Sequence, residues 1–407
     1  MRARLRRKPA LRSCARLGYP SSMTTRPMTT SARQPTIVLV GAGHAHLHIA
    51  ARAQAYRDAG ARLLLIDPGE FWYSGMATGL LGGEFSPDED RIDPNALMQA
   101  SGGAFIREAV TRICPDSRRI TLASGRTLDY DWLSLNVGSE VDTESLPTAD
   151  NGPQIWPVKP IPPLYSLRLS LEAAMRDQAS MPPVVIIGGG ATGSEIAANL
   201  AGLARRCDVA PQVTLVSRSS RLLTSAPAGA ARRLQAALDD YPVALRLSAE
   251  ARRITQTGVE LASGEVLPAA HVVMAVGLQA KALTRTLGLP AGPQGLKVGP
   301  TMQSIADPRV FAAGDCADYQ PRALPKLGVF GVKAAEVIHH NLLASLQQRP
   351  LRPYQPQRRW LAILNLGNGQ GLLLWWRFWW RGRFSAWLKN RIDRRFMAQY
   401  RRAGQAD

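Results

Sequence analysis

Thr36-Ile-Val-Leu-Val-Gly-Ala-Gly-His-Ala-His46 and Val184-Val-Ile-Ile-Gly-Gly-Gly-Ala-Thr-Gly193 each run an apolar strand straight into a glycine turn. Gly41 and Gly188, the first glycine of each turn, lie 147 residues apart. A short run rich in Val and Ile reads as a buried parallel strand. Glycines directly after it let backbone N–H groups at the next helix N-terminus approach an anion closely. One such turn is weak evidence. Two in one chain point to two doubly wound βαβ sheets, each shaped for a dinucleotide.

The repeat extends past the glycines. Residues 120–138, Ile120 to Gly138, align without gaps on residues 259–277, Val259 to Gly277, and Leu-Ala-Ser-Gly is identical in both. Each copy reads as strand, Ser-Gly turn, short strand and a buried strand closed by glycine. A unit this large is a duplicated domain rather than a solenoid. The first copy predicts a helix over about 44–60 and a strand over 62–66; the second predicts them over about 192–206 and 212–216. The stretch 147–163 holds six prolines and reads as a domain junction.

The two turns differ. Gly188, Gly190 and Gly193 fill all three glycine positions, with Thr192 among them. The first turn keeps Gly41 and Gly43 but has His46 third, a change expected to loosen helix–strand packing. The strand after the first helix ends in Asp67, an acid of the kind that bonds an adenosine ribose. Its counterpart ends in Ser217-Arg218-Ser-Ser-Arg221. Ser217, Arg218 and Arg221 would suit a ribose 2′-phosphate through guanidinium forks; the plainer reading is a pair of solvated loop arginines. A late strand, Val310-Phe-Ala-Ala, ends in Gly314-Asp315 and is expected to return to the first sheet.

The ordered set of Gly41–His46, Asp67, Gly188–Gly193, Gly277 and Gly314-Asp315 resembles the two-dinucleotide-binding flavoprotein family. That family includes disulfide reductases, apoptosis-inducing factor and type II NADH dehydrogenases. The likeness runs over about residues 35–400 and implies an α/β fold with two Rossmann-like domains, the second inserted in the first. It implies FAD on the first fold, over residues 35–155 and 286–345, and NADH or NADPH on the second, over 156–285. Residues 346–407 would form a small C-terminal α+β region. Asp315 would bond the ribityl chain of FAD, Gly138 and Gly277 would close strands beside the two cofactors, and Glu195 would lie near nicotinamide and flavin. The N-terminal end of a helix starting near Gly328 would face the flavin, where Lys333 either adds charge or stays solvated. A closer resemblance is to the module fused to selenide, water dikinase. It rests on Gly43-His-Ala-His46, Tyr73-Ser-Gly-Met76, Ser134-Leu-Asn-Val-Gly-Ser139, Leu324-Pro-Lys-Leu-Gly-Val-Phe330 and Leu388-Lys-Asn-Arg-Ile-Asp-Arg-Arg-Phe-Met397. The catalytic candidates are Glu195, Tyr73 and Lys333.

Disulfide reductases need a cysteine pair against the flavin, yet the matching stretch here, residues 72–79, has none. Cys14, Cys114, Cys207 and Cys316 are scattered, with no zinc pattern. Electrons are therefore expected to pass from NAD(P)H through FAD to an external acceptor, a quinone first. The alternatives are a redox-sensing binding protein similar to apoptosis-inducing factor and a flavoenzyme of selenium or sulfur metabolism. His44, His46 and His48 alternate at a helix start without a carboxylate or cysteine, which argues against a metal site. His44 and His46 are candidates for FAD contact, and His48 for packing.

The net charge of +19 is uneven. Residues 1–34 carry nine Lys/Arg and no acid, residues 349–407 carry a net +11, and the body between them is near neutral. That pattern argues against a nucleic-acid-binding face. The leader resembles a mitochondrial transit peptide, or the start lies at Met23 or Met28. Residues 360–376 read as a hairpin turning at Gly-Asn-Gly. Beyond it, Phe384, Trp387, Leu388, Ile392, Phe396 and Tyr400 recur at helical spacing among Lys and Arg, which suits an anionic bilayer surface. The expected location is cytoplasmic, with a peripheral position on the inner membrane face as a further option and mitochondria if the leader is real. Monomer and homodimer are both open.

Overall fold

In the computed structural model, which describes residues 33–404, the two apolar runs become the central strands of two five-stranded, wholly parallel sheets. The strands are β1 (Thr36–Val40), β2 (Arg62–Ile66), β3 (Ala104–Ile106), β4 (Trp132–Leu135), β5 (Gln154–Pro157), β6 (Val184–Ile187), β7 (Val213–Val216), β8 (Ala244–Arg246), β9 (His271–Met274) and β10 (Val310–Ala312). The first sheet has the order β10-β4-β1-β2-β3 and the second β5-β9-β6-β7-β8. Both central strands are buried almost end to end, as parallel strands covered on two faces must be. The leader up to residue 32, with Cys14, lies outside the described residues.

The duplication is structural as well as sequential. Each copy carries a three-stranded antiparallel meander, Val110–Cys114 to Thr127–Asp129 and Ala251–Ile254 to Val266–Pro268. Gly125 and Gly264 turn them at φ +83° and +88°. β4 then lies beside β1 as β9 lies beside β6. The proline-rich stretch read as a junction contributes β5 to the edge of the second sheet, where it pairs with β9.

Four helices matter for the site: α1 (His44–Ala50), α2 (Ala191–Arg206), α3 (Gly328–Leu346) and α4 (Arg383–Ala403). The helix expected over 44–60 is interrupted at Ala51-Arg52 and resumes at Ala53–Asp58. The Arg52 guanidinium bonds the His48 carbonyl at 3.0 Å, satisfying an acceptor freed by the break. At the C-terminal end the expected hairpin, Leu361–Asn365 with Gly371–Trp375, gains a third strand, Phe378–Gly382. Its turn places Trp376 at φ +54°. α4 packs back across this meander and onto the first sheet's side of the molecule.

Candidate functional site

At the carboxyl ends of β1, β2 and β4, segments far apart in sequence enclose a cleft of about 470 Å³. That volume lies within the roughly 300–1,000 Å³ typical of ligand sites, and the position is where doubly wound sheets bind ligands. Gly41, Gly43, His44, Asp67, Gly138, Gly314 and Asp315 all line it. So do Gly328, at the start of the helix expected to face the flavin, and Asn136, Lys159 and Lys281, to which the sequence reading gave no role.

Asn136 organises this cleft. Its Oδ1 accepts from the N–H groups of Ala45 and His46 at 2.9 and 3.4 Å, and its Nδ2 donates to the Ala313 carbonyl at 2.6 Å. One carboxamide thus ties the first glycine turn to the Gly314-Asp315 segment. It also explains the glycines: a Cβ on Gly43 would collide with the Asn136 side chain, and one on Gly41 with the Asn136 backbone. The signal was present in Ser134-Leu-Asn-Val-Gly138, but the partners of Asn136 lie 90 to 177 residues away.

The acids are set for a dinucleotide. Asp67 accepts from Ala42 N–H at 2.7 Å and Gly69 N–H at 2.9 Å, which leaves lone pairs of both oxygens for a ribose. Burial raises its pKa, opposed by those two N–H groups. Asp315 accepts from the Ser139 hydroxyl at 2.7 Å. No Cβ stands between Gly138 and open space. The first turn of α3 adds Gly328 and Gly331 to the wall, aiming the helix's positive end at the cleft. These features fit a bound FAD.

His44 and His46 part company. The His44 ring lines the cleft and packs on Phe71, Tyr73 and Phe396 at 5.1–5.8 Å. Burial, and then the charge of Lys159, push its pKa down to about 4, so it is neutral near pH 7. His46 is fully buried instead, a correction to the expected FAD contact. Its Nδ1 bonds the Gly41 carbonyl at 2.6 Å and its Nε2 meets the Ser134 hydroxyl at 2.8 Å, so neither nitrogen is left for a ligand. The expected loosening does not occur, because the imidazole replaces glycine packing with a hydrogen bond. His48 is buried and packs edge-on His339.

At the second turn, a Cβ on Gly193 would strike the Gly188 carbonyl oxygen, whereas one on Gly190 would meet open space. Gly190 and Thr192 are exposed at the start of α2. Ser217 is buried and its hydroxyl accepts from Ser219 N–H at 3.2 Å. Arg218 is exposed at the end of β7. Arg221 is a second correction: its guanidinium donates to the carbonyls of Leu223, Thr224 and Ala226, so it holds its own loop. Gly277 takes φ +67°, matching Gly138 at +76°.

The three catalytic candidates separate. Glu195, on the first turns of α2, accepts from Asn365 N–H at 2.7 Å and the Thr78 hydroxyl at 3.2 Å, and burial raises its pKa. It joins the second fold to the first and to the C-terminal meander. Tyr73 stacks on Phe396 at 4.5 Å and donates to Asp393 at 3.0 Å, behind the His44 wall. Lys333 is exposed on α3 and absent from the cleft lining, which overturns the catalytic assignment.

No cysteine lines the cleft. Cys316 is the nearest in sequence, but it is fully buried with its Sγ bonded to the carbonyls of Ala313 and Leu135. Burial pushes its thiol up to about 11. Cys114 and Cys207 are free thiols, and among the described residues no His, Cys, Asp and Glu gather into a metal-sized cluster.

Residues 35–335 match the pyridine nucleotide-disulphide oxidoreductase family. An NADH dehydrogenase-like protein of Mycobacterium tuberculosis is 32% identical over 240 residues, covering 56% of this chain and 58% of that protein. The chain thus spans less than two thirds of that relative's length. Demethylphylloquinone reductase of Synechocystis is 26% identical over 352 residues, covering 82% and 85%. Among solved structures, NDH2 of Plasmodium falciparum in complex with NADH superposes with a TM-score of 0.77 at 14% identity, covering 90% and 97%. The sulfide:quinone oxidoreductase of Aquifex aeolicus superposes at 0.74 with 16% identity, covering 91% and 92%.

Proposed function

Because the chain belongs to the pyridine nucleotide-disulphide oxidoreductase family, we propose that it is an FAD-dependent NAD(P)H:quinone oxidoreductase. FAD would occupy the cleft of the first sheet, within residues 35–155 and 286–345, and NAD(P)H the glycine turn of the inserted second fold. The observation that carries this reading is the cleft itself. It unites the first glycine turn, Asp67 and Asp315, and no thiol stands in its wall. Bound there, FAD would accept hydride from NAD(P)H and pass two electrons to an acceptor.

The chain's own residues bind and orient. Asp67 receives the adenosine ribose, and Asp315, held by Ser139, receives the ribityl hydroxyls. Lys159 and the N-terminal end of α3 place positive charge where an electron-rich ring would sit. Glu195 marks the nicotinamide side, and Arg218 is the remaining candidate for a 2′-phosphate. Purified protein should be yellow, bleach anaerobically with NADH or NADPH, and recover colour with a short-chain quinone. Colourless protein would refute the reading.

A membrane-borne acceptor suits the C-terminal region. Trp375, Trp376, Phe378, Trp380, Phe384 and Trp387 are each more than half exposed, in a segment of net charge +11. Such a patch, aromatic and basic, fits an anionic bilayer surface. Among the described residues no helix is long and apolar enough to cross a membrane.

A further inference from the structure

Behind the His44 wall, the structure gathers more carboxyls than it can neutralise. Asp90 ends the short helix Pro87–Asp90, is 0% exposed, and neither carboxyl oxygen has a hydrogen-bond partner. Asp393 of α4 is also buried, and the ammonium of half-buried Lys389 lies 2.8 Å from it. The Lys389 ammonium also bonds the Gly75 carbonyl, and its charge acts on both Asp90 and Glu195. Three carboxyls therefore share the Lys389 ammonium, with Arg401 as a further cation acting on Asp90. Buried charge without compensation is costly, so at least one carboxyl holds a proton.

We propose that Asp90, Asp393 and Lys389 form a proton-holding station that supplies the solvent-derived proton consumed when a quinone is reduced. The inference rests on the acceptor reading above. NAD(P)H gives up two electrons with one proton as hydride, whereas a quinone becomes a quinol by taking two electrons and two protons. The second proton leaves the station, which refills from water. Tyr73 fixes the station against the cleft wall: its hydroxyl donates to Asp393 and its ring packs on His44, which lines the cleft. Two clefts, of about 170 and 320 Å³, flank Arg394; Lys389 lines one, and Glu89, beside Asp90, lines the other. They are the inlets.

The groups facing Asp90 set the direction of its titration. Burial and the negative charge of Asp393 push its carboxyl up to about 8, against the charges of Lys389 and Arg401; the N–H of Tyr73 donates to the Asp90 backbone carbonyl instead. Arg91, next in the chain, is engaged by Glu70 and Asp88. The station therefore empties as pH rises through about 8.

The test compares Asp90→Asn and Asp393→Asn holoenzymes with the wild type, using NADH with either a short-chain quinone or ferricyanide. Ferricyanide takes electrons only and consumes no proton. The ratio of quinone to ferricyanide turnover should fall about a hundred-fold in the variants. In the wild type, quinone turnover alone should decline above about pH 8. An infrared carbonyl band from a protonated carboxyl should be present in the wild type at neutral pH and missing in Asp90→Asn. Equal loss with both acceptors, an unchanged ratio, or no such band would overturn the station while leaving the quinone reading intact. A wild type that reduces ferricyanide but no quinone would refute both.

Discussion

At the scale of single residues, Gly190 and Gly193 of the second turn do different jobs. Gly193→Ala places a methyl into the Gly188 carbonyl and should cost about 1–3 kcal/mol of stability, read by thermal denaturation. Gly190→Ala meets open space, so it should leave stability nearly unchanged while weakening NADH binding, read by titration. Arg218→Ala should weaken NADPH about ten-fold or more and leave NADH within about two-fold, since a charged hydrogen bond contributes about 1.5–3 kcal/mol. Equal losses would reject the 2′-phosphate role. Gly41, Gly43 and Asp67 were legible because strand, turn and acid follow one another locally. His46 and Arg221 were misplaced because their partners are backbone carbonyls and, for His46, also the distant Ser134 hydroxyl, none of which local sequence displays. Asp90 carried no signal at all, since what singles it out is the company of α4, some 300 residues on.

Among the elements, the central strands β1 and β6 follow from apolar runs closed by glycine, whereas β3, β5 and β8 are short or polar and carried no such signal; the late strand β10 returned to the first sheet as its Gly-Asp ending implied. The third strand of the C-terminal meander was missed. Its turn holds Trp376 where a glycine or asparagine would have announced it, and its Phe378-Trp-Trp run was given no element. The meander and α4 together carry the exposed aromatics. Trp376→Ala combined with Trp387→Ala removes side chains 63% and 54% exposed, so the fold should be unaffected. Co-flotation with anionic vesicles should drop strongly against the wild type. Undiminished flotation would send the membrane reading back to a merely solvated face.

For the whole molecule, stability should carry the imprint of the buried acid. Unfolded, Asp90 titrates near its ordinary 3.8; folded, near 8. The folded state therefore binds the proton more tightly, and the stabilising contribution present at low pH is lost as pH rises from about 4 to about 8. Asp90→Asn lacks that loss and breaks no hydrogen bond. Its unfolding free energy should gain on the wild type's over that window, by roughly 5 kcal/mol once pH 8 is passed, at about 1.4 kcal/mol per unit, and its melting temperature should rise above the wild type's in step. A constant difference across pH would refute the burial of a titrating carboxyl.

α4 spans 21 residues, about 30 Å at 1.5 Å per residue. Phe384 and Trp387 stand out from it into solvent, while Lys389, Asp393 and Phe396, further along the same rod, press on the chamber wall. A rigid rod has no way to tilt at one end alone. Whatever seats its aromatic end would also set the spacing behind His44, so a surface met by these aromatics would be felt in the cleft through one continuous helix.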